Sequence, residues 1–101
     1  MAYQVVWSSK ALEDVEAIAT YISRDSTAYA AAVVQRIIDV TRHLSNFPFS
    51  GRIVPEFDDD NIREKFVYSY RVIYRIQGDT LTIAAVIHGK RLLEKLDADS
   101  E

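Results

Sequence analysis

Five arginines and one histidine in the second half of the chain are the side chains best suited to chemistry: Arg52, Arg63, Arg71, Arg75, Arg91 and His88. A guanidinium braces a phosphorane-like transition state or clamps a carboxylate, and its planar fork suits both. An imidazole titrates near neutrality and can take a proton from a ribose hydroxyl. Arg71 and His88 therefore have the makings of a phosphodiester-cleaving pair. Arg52, Arg63, Arg71, Arg75 and Arg91 have those of a cationic partner-binding surface. Four of these also have a plainer reading. His88 closes a strand-like run and serves equally to bond a loop. Arg71 is balanced between a phosphate and a cross-strand salt bridge to Glu64. Arg52 follows Gly51 on a loop, within reach of a partner or of Glu56. Arg91 can cap helix carbonyls.

Other candidates are weaker. Phe47, Phe49 and Phe57 have faces for stacking on bases, but pinning a long loop to the core is the favoured reading. Asp58-Asp59-Asp60 resembles a metal cluster only in composition. Adjacent carboxylates diverge and no further ligand stands at a suitable spacing, so a solvated tip is expected, with no metal and no cofactor. His43 falls on the polar side of a helix with no evident partner.

The elements that must position these groups are legible in outline. Residues 1–7 hold a β-branched and aromatic run, Tyr3-Gln4-Val5-Val6-Trp7, which predicts a strand. Residues 8–45 predict a helical hairpin. Ser8 or Ser9 caps the first helix, and Glu13 and Asp14 are expected in its first turn, where the helix dipole favours negative charge. Leu12, Val15, Ile18, Ala19 and Ile22 form its apolar stripe. Asp25 or Ser26 caps the second helix, whose stripe is Ala30, Val33, Val34, Ile37, Ile38, Thr41 and Leu44. The short break between them folds the pair antiparallel. Pro48 and Gly51 end the helical half, and residues 46–61 are expected as an ordered loop. Residues 62–88 predict a three-stranded meander over Ile62–Val67, Arg71–Gln77 and Leu81–His88. Residues 89–101 hold a final helical turn from Arg91 to Leu96 and a frayed tail. The order β-α-α-β-β-β predicts one α+β domain, an antiparallel sheet with the hairpin on one face.

The Gly78-Asp79 turn sets a register. Gln77 faces Thr80, and counting outward puts Val72, Tyr74 and Ile76 on the helix side with Leu81, Ile83 and Ala85. Arg71, Ile73, Arg75, Thr82, Ala84, Val86 and His88 then share the open face. Arg71 pairs with Val86, and His88 sits diagonally beside it, roughly 7–8 Å away. The Tyr68-Ser69 turn signal is poor. An even loop places Ile62, Glu64 and Phe66 beside Arg71, an odd loop Arg63 and Lys65; the even loop is favoured.

Composition narrows the function classes. The 101 residues suit a single domain, and 49% hydrophobic with 27% charged residues is globular rather than disordered. There is no cysteine, which excludes disulfides and thiolate metal sites and suits a reducing cytoplasm. Acidic residues near the N-terminus argue against a signal peptide, and apolar runs are too short to span a membrane. A net charge of -3 weighs against gripping nucleic acid by its phosphates.

The joint order of Trp7-Ser8, Ala11, Tyr21-Ile22, Phe47-Pro48, Gly51-Arg52, Pro55-Glu56, Ile62-Arg63-Glu64, Tyr70-Arg71-Val72-Ile73-Tyr74 and His88-Gly89-Lys90-Arg91 resembles the ParE/RelE toxin superfamily of bacterial type II toxin–antitoxin modules, also called plasmid-stabilisation toxins. The resemblance implies a cognate antitoxin that adds a helix beside the hairpin or a strand at a sheet edge. It also implies one of two targets. RelE-like members resemble ribosome-dependent mRNA endoribonucleases, and ParE-like members poison DNA gyrase. On the RelE pattern, Arg71 and Arg91 fall on its two arginines, while its two lysines fall on Ile62 and Glu64 and its C-terminal tyrosine on Asp97. Apolar and acidic replacements are unsuited to holding an RNA phosphate. The expectation is therefore a ParE-like gyrase inhibitor. An mRNA interferase with a reduced Arg71, His88 and Arg91 set is the alternative, and an attenuated member that only pairs with its antitoxin is a third.

Overall fold

The structure is a computed structural model that describes residues 2–91. The expected final helical turn and tail, with Asp97, lie outside the described residues. Two helices pack on a five-stranded sheet of order β1-β5-β4-β3-β2, with β1 Gln4–Trp7, α1 Ser9–Ser23, α2 Thr27–Leu44, β2 Arg52–Ile53, β3 Ile62–Val67, β4 Tyr70–Gln77 and β5 Thr80–His88. The α+β class with a helical hairpin on a sheet is as expected. Two details are corrected. The sheet is mixed, because β1 pairs in parallel with β5. The segment 46–61, expected as loop throughout, contributes the two-residue edge strand β2, whose Arg52 and Ile53 pair with Glu64 and Arg63.

Local chemistry explains the helix ends. The Ser8 hydroxyl accepts from the Ala11 N–H, and the Ser26 hydroxyl from the Tyr29 N–H, each satisfying an orphan donor. The first turn of α1 contains no acid, so the expected dipole role of Glu13 and Asp14 does not hold. Asp14 instead bonds Lys10 and the sheet. Among the described residues no helix is long and apolar enough to cross a membrane.

The main core lies between hairpin and sheet. Val33, Ile37 and Leu44 of α2 meet Val72, Tyr74, Leu81 and Ile83, all fully buried. Such side chains supply about 1.5–3 kcal/mol each on leaving water. A smaller core on the opposite face joins Val54, Ile62, Ile73, Ala85 and Ile87, with Phe57 packed against it. That face, expected to be open, is covered by the segment after β2. The predicted helix stripes are only partly buried. Leu12 is 56% exposed, and Val15, Ala19, Val34 and Ile38 are half-buried.

The meander turns are as expected. Gln77 faces Thr80 around Gly78, which has φ +62°, and Tyr68-Ser69 is an even loop that places Phe66 opposite Arg71. The register from β4 to β5 then departs from a straight count. Tyr74 pairs with Ile83 but Ile73 pairs with Ala85, leaving Ala84 as a bulge. Beyond it every β5 side chain has changed face. Val86 faces the helices, Arg71 pairs with Ile87, and His88 pairs with Tyr70 on the helix side. Arg71 and His88, expected together on one face, lie on opposite faces.

Three long-range contacts build this bulge. β1 ends at Trp7, and the Ser8 N–H donates to the Ile83 carbonyl. The Ser8 hydroxyl donates to the Ala84 carbonyl at 3.1 Å, and the Val86 N–H donates to the Asp14 carboxylate at 2.9 Å. The start of α1 thus satisfies the backbone groups that an irregular strand leaves without a ladder partner.

Candidate functional site

Arg71 is the second residue of β4, 3% exposed, and is held from three directions. Its Nε donates to Glu64 Oε1 at 2.6 Å from the neighbouring strand. Its terminal nitrogens donate to both carboxylate oxygens of Glu56 at 2.7 and 2.9 Å, and to the Arg91 carbonyl at 3.0 Å. Glu64, 1% exposed, also accepts from Arg52 Nε. Two guanidinium groups and two carboxylates form one network, and such mutual satisfaction is what makes buried charge tolerable. Bonding to Glu56 holds Arg71 in its charged form more firmly than usual, burial opposes this, and Glu64 adds to it. The cross-strand salt bridge is therefore the arrangement that forms.

The other arginines divide by task. Arg52 was expected to tie to Glu56 but reaches Glu64, because β2 pairs Arg52 directly with it. Arg63 is spent on main chain. It donates to the carbonyls of Asp60, Phe49 and Gly51, and so holds the loop that precedes β2. Arg75 is half-buried near the turn end of β4, and Arg91 is exposed. The five arginines do not converge into one cationic surface.

His88 occupies a different place. Its ring meets Tyr70 edge-on at 5.8 Å. Both line a cleft of about 380 Å³ with Asp14, Ile18, Tyr21 and Arg91. Burial, then the neighbouring Tyr29 and Tyr21, pushes the Tyr70 phenol above its usual range. This cleft brings His88 and Arg91 together, while Arg71 is on the far face.

A second feature belongs to the hairpin. Trp7, Leu12, Val15, Ala19, Val34 and Ile38 line an apolar groove of about 460 Å³ whose one acidic neighbour is Glu16. An apolar groove lined in this way admits the greasy face of an amphipathic helix. These are largely the stripe residues that were expected in the core. Two helices apolar over more than the arc facing the sheet are the sequence signal for such a groove.

Several residues were missed or misplaced by sequence reasoning. Glu56 sits in an aperiodic segment, and nothing local marks it as the bidentate partner of Arg71. Phe47 and Phe49 were expected to pin the loop and are instead about half exposed, whereas Phe57 does pack on the sheet. His43, which had no evident partner, stacks on Phe47 at 4.8 Å. Asp58, Asp59 and Asp60 are exposed. Among the described residues no group of His, Asp and Glu is arranged to hold a metal ion.

Residues 5–93 match the family model of the ParE toxin of the type II toxin–antitoxin system parDE. No curated protein sequence matches the chain. Among solved structures, the chain is similar to the chromosomal ParDE toxin–antitoxin system of P. aeruginosa, with 20% identity over 86% of this chain and 96% of that one, at a TM-score of 0.70. It is similar to the RelBE2 toxin–antitoxin complex of Mycobacterium tuberculosis, with 20% identity, 87% and 99% coverage and a TM-score of 0.60. It is also similar to a double arginine-to-alanine variant of the E. coli toxin RelE in the free state, with 16% identity, 89% and 86% coverage and a TM-score of 0.64.

Proposed function

This chain belongs to the ParE toxin family of type II toxin–antitoxin systems, and from that premise we propose that it arrests growth by binding and inhibiting DNA gyrase. The observation that carries the reading is the closed state of Arg71. An RNA-cleaving set needs cations open to a phosphate and a base on the same side. Here Arg71 is bound to Glu56 and Glu64, and His88 stands across the sheet. Glu64 itself sits where a cation would be needed, so the protein acts by binding rather than by hydrolysis.

A cognate antitoxin holds the toxin inactive in the cytoplasm. Its helix occupies the α1–α2 groove, covering Trp7, Leu12 and Ile38, and the outer edge of β1 offers an extended segment a place to pair.

A second reading has one observation in its favour. His88, Tyr70 and Arg91 share a cleft, which is a reduced set for mRNA cleavage. Purified toxin added to gyrase and, separately, to translating ribosomes decides between them. Loss of supercoiling with intact messages supports the gyrase reading. Cuts in ribosome-bound message that vanish on His88→Ala overturn it.

A further inference from the structure

We propose that the outer edge of β3, with the rings and cations around it, is the surface that grips the toxin's target protein, and that it takes a partner face presenting carboxylates among apolar side chains. The identity of that target rests on the gyrase reading, but the surface does not.

Three phenylalanines lie here with about half their area in water: Phe47 at 55%, Phe49 at 49% and Phe66 at 53%. Each carries a flat neighbour. His43 stacks on Phe47 at 4.8 Å, the Arg63 guanidinium lies 4.9 Å from the Phe49 ring, and that of Arg52 lies 5.2 Å from Phe66. The cations are themselves anchored. Arg63 bonds the Phe49 and Gly51 carbonyls, and Arg52 bonds the buried Glu64. Rings and charges are thus fixed before any partner arrives, which lowers the ordering cost of association. Exposed aromatics interleaved with arginine are what protein interfaces concentrate at their centres.

The sheet leaves room beside them. β2 pairs with Arg63 and Glu64, so among the described residues β3 has no strand on its outer side from Lys65 onward. A cleft of about 450 Å³ opens between that edge and α2, where Lys65 and Arg36 face Asp39 and His43, with Phe66 in its wall. Counting Arg63 with Lys65 and Arg36 against Asp39, the patch is locally positive on a chain of net charge -3. A positive patch with greasy rings complements an acidic, apolar protein face. The overall negative charge disfavours a polyphosphate there.

The patch is separate from the antitoxin groove. Val34 and Ile38 of α2 line that groove, whereas Arg36 and His43 line this cleft. Two residues along a helix turn the side chain by roughly 200°, so the two surfaces flank α2 on opposite sides.

The test uses the full chain with Phe66→Ala and Lys65→Glu combined, and separately Arg36→Glu on the exposed face of α2. Capture of the cognate antitoxin and thermal unfolding report the fold, and the Arg36 variant carries the test if the double variant is unfolded. The expected result is a loss of gyrase inhibition of at least about tenfold with antitoxin capture unchanged. Variants that inhibit gyrase as well as the wild type overturn the proposal and leave the gyrase reading intact. A wild type that spares gyrase but arrests growth, with variants that do not, overturns the gyrase reading and keeps the surface. Equal growth arrest by all forms, or none by the wild type, overturns the surface. So does wild-type binding of single-stranded RNA that the variants lose, since the partner is then not a protein.

Discussion

Arg71 and His88 stand on opposite faces of one sheet, separated by a single inserted residue. Without Ala84 as a bulge, the register from the Gly78 turn would put the two on one face as diagonal neighbours. With it, Arg71 keeps the face it shares with Glu64, while His88 turns to the helix side and lines a cleft with residues of α1. The bulge thereby places on opposite faces two side chains that a straight register would put on one.

The network predicts a stability cost when it is opened from one side. Glu64→Ala takes the Nε partner from Arg71 and leaves it Glu56, and Arg71→Ala leaves Glu64 with Arg52 alone. Each is expected to lose about 1–3 kcal/mol in urea unfolding, the scale of a lost charged hydrogen bond in a buried site. The double variant is expected to lose less than the sum, with a coupling of about 1–3 kcal/mol. Simple additivity in that cycle would show that the pair does not act as a unit.

The Gly51 approach is held by one phenol. Tyr74 Oη donates to the Pro48 carbonyl at 2.7 Å and accepts from the Gly51 N–H at 3.0 Å. Tyr74→Phe leaves both groups unsatisfied and is expected to cost about 1–3 kcal/mol. Gly51→Ala is worse placed, because its Cβ would stand 2.5 Å from the Glu64 carbonyl and the Tyr74 hydroxyl. About 1–3 kcal/mol is the usual cost of such overpacking, and a Gly51→Ala protein melting like the wild type would contradict this packing.

Burial raises the Tyr74 phenol above its ordinary value of 10.0, outweighing the bond from Gly51 and the charge of Arg63. The folded chain therefore keeps this proton to higher pH than the unfolded chain does. Its contribution is fully present below pH 10 and is lost as pH rises through the folded value. Unfolding free energy measured up the alkaline limb should fall, and Tyr74→Phe should flatten that fall.

Asp14 is expected to matter to the bulge rather than to the helix dipole. Asp14→Ala leaves the Val86 N–H without its acceptor, at about 1–3 kcal/mol. Amide hydrogen exchange at Val86 should accelerate in this variant more than at Leu81, which lies deep in the ladder.

The hairpin groove predicts a separable antitoxin defect. Leu12 is largely exposed, so Leu12→Glu should leave the fold intact. It should weaken antitoxin capture by about 30-fold, the scale of one interface anchor. Gyrase inhibition by the free toxin should be unchanged.

Much of this protein follows from its chain alone. The helix stripes, their serine caps and the turn at Gly78 specify the order of elements, since each depends on residues within a few positions of one another. The even loop at Tyr68-Ser69 likewise brings Glu64 onto the face of Arg71. What tertiary structure decided is which faces are free. The bulge at Ala84 depends on Ser8 and Asp14, 76 and 72 residues from the groups they bond. Glu56 reaches Arg71 only because the loop after β2 folds over the sheet. Periodicity reports neighbours along a helix or across one turn. It carries no record of a distant hydroxyl that lets a strand spend one extra residue and turn its remaining side chains over.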